Sequence, residues 1–174
     1  MKRLILLLAA HVVCLDAIAA GRGDVRCSQQ DIDTFEAVMA TVSGDRGLPV
    51  GELVVRIART FLGTPYVAGT LELEPERLTV NLSETDCIIF VETCIALAMA
   101  ARDEVPSFDG FLDHLCSLRY RNGVVDGYAS RLHYTSEWIA QGVRTGIFEE
   151  VTRECGGSPL NQSFNYMSTQ PAAY

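Results

Sequence analysis

The stretch Gly63-Thr64-Pro65-Tyr66-Val67-Ala68-Gly69-Thr70-Leu71-Glu72 cannot be helical, because Pro65 has no amide hydrogen and two glycines interrupt it. It reads as a structured loop or short strand, and it divides the chain into helical pieces. Before it, Ser28 to Thr41 sets Ile32, Phe35, Val38 and Met39 at helical spacing, with Ser28 as N-cap. A glycine-rich turn from Ser43 to Gly47 follows. Val50 to Leu62 then presents Leu53, Val54, Ile57, Ala58 and Phe61 on one face and stops at Gly63. After the loop, Ser107 to Leu118 turns Phe108, Phe111, Leu112 and Leu115 inward. His114, beside Asp113, flanks that stripe and reads as solvated rather than catalytic. Arg121-Asn122-Gly123-Val124 reads as a hairpin or tight loop.

The most informative run is Asn81-Leu82-Ser83-Glu84-Thr85-Asp86-Cys87-Ile88-Ile89-Phe90-Val91-Glu92-Thr93-Cys94, which opens a helix reaching about Ala101. Ser83 or Thr85 can cap it, and Glu84 and Asp86 complement the positive end of its dipole. Cys87 then lies in the first turn, where backbone N–H groups without intrahelical partners favour a thiolate. That is where a nucleophilic cysteine belongs. Cys87, Phe90, Val91, Cys94, Ile95 and Ala98 also form a regular helical stripe, and a cysteine on such a stripe can be plain core packing. Both readings stay open on the residues alone.

Lys2 and Arg3 precede an apolar run from Leu4 to about Leu15, followed by Ala17-Ile18-Ala19. This order of charge, short apolar core and small residues is that of a secretory signal peptide over 1–19, too short to span a bilayer. Val13 stands before Cys14 where a lipid anchor needs a small residue, so the expectation is soluble export to a periplasmic or extracellular space. No later apolar run approaches the length of a membrane span, so no integral membrane segment is expected after processing. The chain carries 22 acidic against 14 basic residues and its only lysine is Lys2. Nucleic acid is therefore excluded as a partner, since phosphate binding needs a basic surface.

Removing the signal takes Cys14 with it and leaves Cys27, Cys87, Cys94, Cys116 and Cys155. An odd number in an oxidising compartment implies at least one free or intermolecular thiol. Cys87 and Cys94, seven residues apart on one helix, cannot bridge each other; Cys94 with Cys116 and Cys27 with Cys155 are the pairings left open. No C-x-x-C spacing occurs and only His114 and His133 remain as imidazoles, so neither a metal nor a cofactor is expected.

Several blocks resemble one family. Gly63-Thr64-Pro65-Tyr66 through Gly69-Thr70-Leu71-Glu72, Leu78 to Leu82, and Asp86-Cys87 with Phe90-Val91-Glu92 are similar to the N-terminal half of papain-like, NlpC-type cell-wall hydrolases. Within these they are most similar to a subfamily, long known only as a domain of unknown function, whose members are N-acetylmuramoyl-L-alanine amidases. Gly127-Tyr128-Ala129-Ser130-Arg131-Leu132-His133-Tyr134 with Trp138 resembles that subfamily's insertion, as do Val151-Thr152 and Met167-Ser168. Ile88-Ile89 replaces residues that are usually polar in the family. The resemblance implies an α+β fold, here mainly its helical N-terminal half plus the insertion, with helix dominating strand. It also implies Cys87 as nucleophile and Tyr66, Asp86, Tyr128, Arg131, His133 and Tyr134 as residues that meet a muropeptide. Tyr128, Arg131, His133, Tyr134 and Trp138 offer aromatic faces for sugar rings and a guanidinium for a carboxylate or lactyl oxygen. Equally, Tyr134 and Trp138, four apart across Ser136 as an N-cap, would pack the insertion onto the core.

The family's catalytic histidine lies in a His-Val-Gly run on a small barrel after the cysteine helix, and no such run occurs by Tyr174. The expectation is that 20–174 is a partial amidase-like domain lacking the C-terminal barrel half, with His133 the sole substitute base. Two functions follow. One is an exported cysteine amidase acting on peptidoglycan fragments; the other is a truncated, catalytically inactive remnant or muropeptide-binding module. Export is testable directly: N-terminal sequencing of secreted protein is expected to begin near Ala20 or Gly21. Intact Met1 in the cytoplasmic fraction would contradict it.

Overall fold

The helical periodicities of the sequence appear as five α-helices in a computed structural model, which describes residues 23–159 together with 162, 163, 165 and 169. The signal-like segment 1–19 and Met167-Ser168 lie outside the described residues. Two units are distinguished, one up to Trp138 and one from Ile139, the division falling inside the last helix.

In the first unit, strand β1 (Val25–Arg26) leads into α1 (Gln29–Thr41). Ser28 caps α1 as its sequence suggests, and it does so reciprocally with Asp31. The Ser28 Oγ accepts from the Asp31 N–H, while Asp31 Oδ2 accepts from the Ser28 N–H at 2.8 Å. The other Asp31 oxygen accepts from the Leu82 N–H at 2.8 Å, so one buried carboxylate ties the start of α1 to the segment that enters the cysteine helix. Helix α2 (Val50–Thr60) buries Leu53 and Ile57. Strand β2 (Leu78–Thr79) pairs in parallel with β1, Val25 opposite Leu78 and Arg26 opposite Thr79.

Helix α3 (Cys87–Arg102) packs against α2 and α4 (Phe108–Arg119), with α1 touching both α3 and α4. Its buried Ala96, Ala98, Ala100 and Ala101 have small side chains that let neighbouring helices come close. Phe35, Phe108 and Phe111 meet with ring centroids 5.5 to 5.8 Å apart and close the α1–α4 seam. Ser107 caps α4 through the Gly110 N–H. The Arg121–Val124 turn is tight, with Asn122 at φ 56° and Gly123 at φ 70°, a left-handed pair that this dipeptide tolerates. No ladder hairpin follows; one antiparallel bridge joins Tyr120 to Arg131.

A buried ion pair crosses this core. Arg119 Nε donates to Glu92 Oε2 at 2.8 Å and its Nη1 donates to the Thr79 carbonyl at 2.5 Å, both side chains being at most 4 % exposed. Helices α3 and α4 and strand β2 are thus held at one point.

Helix α5 (Thr135–Arg144) begins at Thr135, so Ser136 lies inside it and is not the cap that the sequence suggested. Beyond it, in the second unit, the Ile147 and Phe148 amides both donate to the Gly142 carbonyl. A Cβ on Gly142 would meet the Phe148 ring, so the close approach requires glycine.

The mostly helical α+β expectation is met, with strand among the described residues confined to a two-stranded sheet. Among the described residues no helix is long and apolar enough to cross a membrane. Arg119→Met should destabilise the protein by about 3–5 kcal/mol, because it leaves Glu92 buried and unpaired. The double variant Glu92→Leu/Arg119→Met should recover much of that loss, read as the urea midpoint at unchanged m.

Candidate functional site

The residues ahead of α3 are organised by short-range hydrogen bonds. The Asn81 side-chain oxygen accepts from the Ser83 and Glu84 amides at 3.1 and 2.9 Å, a local turn that brings the chain to the helix start. The cap is Asp86, not Ser83 or Thr85: its Oδ1 accepts from the Ile88 and Ile89 amides at 2.9 and 2.8 Å. Ser83 is excluded because its own amide belongs to the Asn81 turn four residues earlier than the helix. Cys87 therefore occupies the first helical position and is exposed. Ile88 and Ile89 give their N–H groups to Asp86, and the Phe90 N–H bonds the Asp86 carbonyl. The Cys87 N–H is the donor of that first turn with no hydrogen bond among the described residues.

The inward face of α3 is not the stripe that would have buried Cys87. Ile89, Glu92, Thr93, Cys94, Ala96 and Leu97 are buried, while Val91, one turn above Cys87, is 40 % exposed. Core packing is thus not the role of Cys87. It is the role of Cys94, whose burial pushes the thiol up to about 12.

The 63–72 loop pairs directly with this helix start. Tyr66 bridges Thr85 in parallel: the Val67 N–H donates to the Thr85 carbonyl at 2.8 Å and the Thr85 N–H to the Pro65 carbonyl at 3.0 Å. Tyr66, 69 % exposed, therefore stands beside the segment that delivers Asp86 and Cys87.

The other end of the same loop reaches the 128–133 block. Glu72 takes both terminal nitrogens of Arg131 at 2.9 and 3.1 Å, and Glu76 lies 3.3 Å from Arg131 Nε. Arg131 is 8 % exposed and Glu72 54 %, so a buried guanidinium is covered by an exposed carboxylate. Burial alone would lower the Arg131 pKa; the hydrogen bond to Glu72 and the charges of Glu76 and Glu72 outweigh it and raise it. Tyr120 donates its hydroxyl to Glu76 at 2.6 Å, and burial together with that bond raises its pKa.

Arg131 stacks over the Tyr128 ring, Cζ to centroid 5.0 Å, and on Tyr128 lies the His133 ring at 4.2 Å. His133 Nε2 meets the Tyr128 carbonyl at 2.9 Å. Arg121 steadies the turn between them, its Nη1 donating to the Ala129 carbonyl while the rest of its guanidinium holds Glu137. Tyr134 follows at the mouth of α5, its carbonyl accepting from the Trp138 N–H, and Trp138 is buried.

Two clusters thus stand at the two ends of one loop: Tyr66, Asp86 and Cys87 at one, Tyr128, Arg131 and His133 at the other. Glu72 and Glu76, which both meet Arg131, carry no sequence signal of that partnership because they lie far along the chain from it. A carboxylate ligand for Arg131 would have to displace Glu72. His114 is held by Asp103, both carboxylate oxygens 3.0 Å from its Nε2. Among the described residues no histidine nitrogen is hydrogen-bonded to Cys87. Among the described residues no disulfide joins Cys27, Cys87, Cys94, Cys116 and Cys155, so neither pairing left open by the sequence is formed, and Cys116 donates instead to the Gly123 carbonyl at 3.3 Å. No group of three or more histidines, cysteines or carboxylates among the described residues is placed to hold a metal ion. A cleft of about 380 Å³ on α2, lined by Gly51, Glu52, Val55, Arg56 and Arg59, contains none of these side chains.

Comparison with known proteins adds what geometry cannot. The chain is similar to a crystal structure of an N-acetylmuramoyl-L-alanine amidase from Bacteroides uniformis, 39% identical, with a TM-score of 0.66 over 72% of this chain and 52% of that one. It is also similar to a candidate xylanase from Bacteroides fragilis, 46% identical, TM-score 0.56, over 64% and 48% of the two chains. A Legionella pneumophila protein at 24% identity and TM-score 0.60 shares the fold. The chain spans about half the length of the solved structures it matches. No curated protein sequence matches it. The family model for AmiA-like proteins, described as N-acetylmuramoyl-L-alanine amidase-like, matches residues 56–174, the stretch that holds both clusters, and the chain belongs to that family.

Proposed function

We propose that the chain is an exported amidase of papain-like, NlpC type that cleaves the bond between N-acetylmuramic acid and L-alanine in peptidoglycan fragments, with Cys87 as nucleophile. The observation that carries the reading is an exposed cysteine at the first position of a capped helix, inside the region matched by the amidase-like family. The Cys87 sulfur attacks the lactyl carbonyl carbon; the carbonyl oxygen takes the negative charge and the Cys87 N–H faces it. The carbon–nitrogen bond breaks as the proton given up by the Cys87 thiol reaches the alanine nitrogen, which leaves as the amine; water then hydrolyses the thioester, releasing the muramic acid carboxyl and returning the thiol. Tyr66 beside the helix start, and Tyr128, His133 and Tyr134 beyond Glu72, supply faces and polar atoms for the sugar and peptide.

The xylanase name of one neighbour implies two carboxylates flanking a glycosidic bond. Glu72 and Glu76, the acidic pair at the 128–133 block, both lie on Arg131, which disfavours that chemistry.

A second reading, a muropeptide-binding module without turnover, is favoured by one observation: neither His114 nor His133 is bonded to Cys87 among the described residues. A positioned base contributes about 10²–10⁴-fold, so turnover without one would be slight.

Amine release from an N-acetylmuramoyl-L-alanyl peptide separates the readings. Turnover lost in Cys87→Ala and kept in Cys94→Ala supports the amidase; binding without turnover supports the module; neither binding nor release overturns both. Independently, iodoacetamide at neutral pH should label Cys87 well ahead of Cys94, which burial keeps as a thiol. Equal labelling would remove Cys87 from the nucleophile's role.

A further inference from the structure

We propose that His133 serves the site through Nδ1, as a hydrogen-bond acceptor, and that Arg131 and Glu72 are the positioning residues that keep it so. The identity of its ligand rests on the muramoyl reading above; the state of the ring rests on geometry alone.

A backbone carbonyl can only accept. The Tyr128 carbonyl, 2.9 Å from His133 Nε2, therefore fixes the proton on that nitrogen. In the neutral ring the in-plane lone pair is then on Nδ1, and Nδ1 has no hydrogen-bond partner among the described residues. The ring cannot turn over freely to present the other nitrogen, because it lies on Tyr128 at a centroid distance of 4.2 Å and a tilt of 31°.

Tyr128 is held in turn from its other neighbour. The Arg131 guanidinium sits 5.0 Å from the Tyr128 centroid, and Glu72 fixes that guanidinium through two parallel hydrogen bonds. Glu76, bonded by Tyr120, holds the Nε edge. The order of contacts is Glu72 to Arg131 to Tyr128 to His133. Its chemical product is a fixed acceptor in a cluster whose charged neighbour, Arg131, already has both terminal nitrogens bonded to Glu72. A muramoyl-L-alanine unit offers what such an acceptor takes: the acetamido N–H, the alanine N–H and the sugar hydroxyls.

The test uses the full chain labelled with ¹⁵N. Long-range proton–nitrogen correlations through the imidazole ring, at a pH where it is neutral, should show Nε2 protonated and Nδ1 bare. Glu72→Ala should let the second tautomer appear, while Glu72→Gln, which keeps one acceptor oxygen on Arg131, should retain more of the first. Binding of N-acetylmuramoyl-L-alanine is then measured in a Cys87→Ala background. His133→Gln keeps a donor for the Tyr128 carbonyl but removes the Nδ1 acceptor, and should weaken binding about tenfold. His133→Asn places an acceptor oxygen near the Nδ1 position and should lose less. A ring protonated on Nδ1, or equal losses from the Gln and Asn variants, would overturn the inference. If the Cys87→Ala protein binds no probe with His133 intact, the muramoyl reading falls and the nitrogen shifts alone decide the ring's state, whether or not any variant folds.

Discussion

The buried guanidinium of Arg119 is the point on which the first unit depends. A charge removed from water is tolerated only with its bonds made, and Arg119 makes them to Glu92 of α3 and to the Thr79 carbonyl of β2. An apolar helix seam can slide by a fraction of a turn at small cost; a buried ion pair cannot. Glu92 lies little more than one turn along α3 from Cys87, so the same bond that sets α3 against α4 also sets where the thiol emerges. Asp31 does the corresponding service at the other side, joining the α1 cap to the Leu82 amide and so fixing the approach to the helix start.

Much of the helical frame was legible because α1, α2 and α4 are each apolar on one face and polar on the other. Ser28 and Ser107 are caps by residue type and by place. Helix α3 resisted the same treatment for a physical reason: it is buried over most of its circumference, and a helix apolar nearly all round has no periodicity to betray its inward face. The stripe through Cys87 was one regular choice among several, and packing took another. Its cap was obscured because Ser83, Thr85 and Asp86 are all capping types; Ser83 is taken into the Asn81 turn and Thr85 pairs with the 63–72 loop, which leaves Asp86 at the helix start. Glu92 and Arg119 carried no signal either, since a charged side chain in a helical sequence reads as a solvated one until its partner is seen.

The candidate site divides along the same line. The residues proposed for the site are named by type and motif, as with Cys87, Tyr66 and the 128–134 block. Which of them touch could not be read that way, because the joining residue, Glu72, is distant in sequence from Arg131 and sits in a loop without periodicity. Arg131, by composition a free cation for a ligand, is instead enclosed by two carboxylates.

The carboxylate of Asp86 at the mouth of α3 has an effect on selectivity. Helix starts commonly gather phosphates and other anions, since their open amides and dipole attract negative charge. Here two of those amides are closed by the protein's own anion, on a chain with a net charge of −8. Under the proposed amidase reaction, that suits a group that brings no charge of its own and develops one only as it reacts. An anionic group arriving at the mouth of α3 therefore meets a carboxylate already in place, a repulsion that a neutral carbonyl does not face.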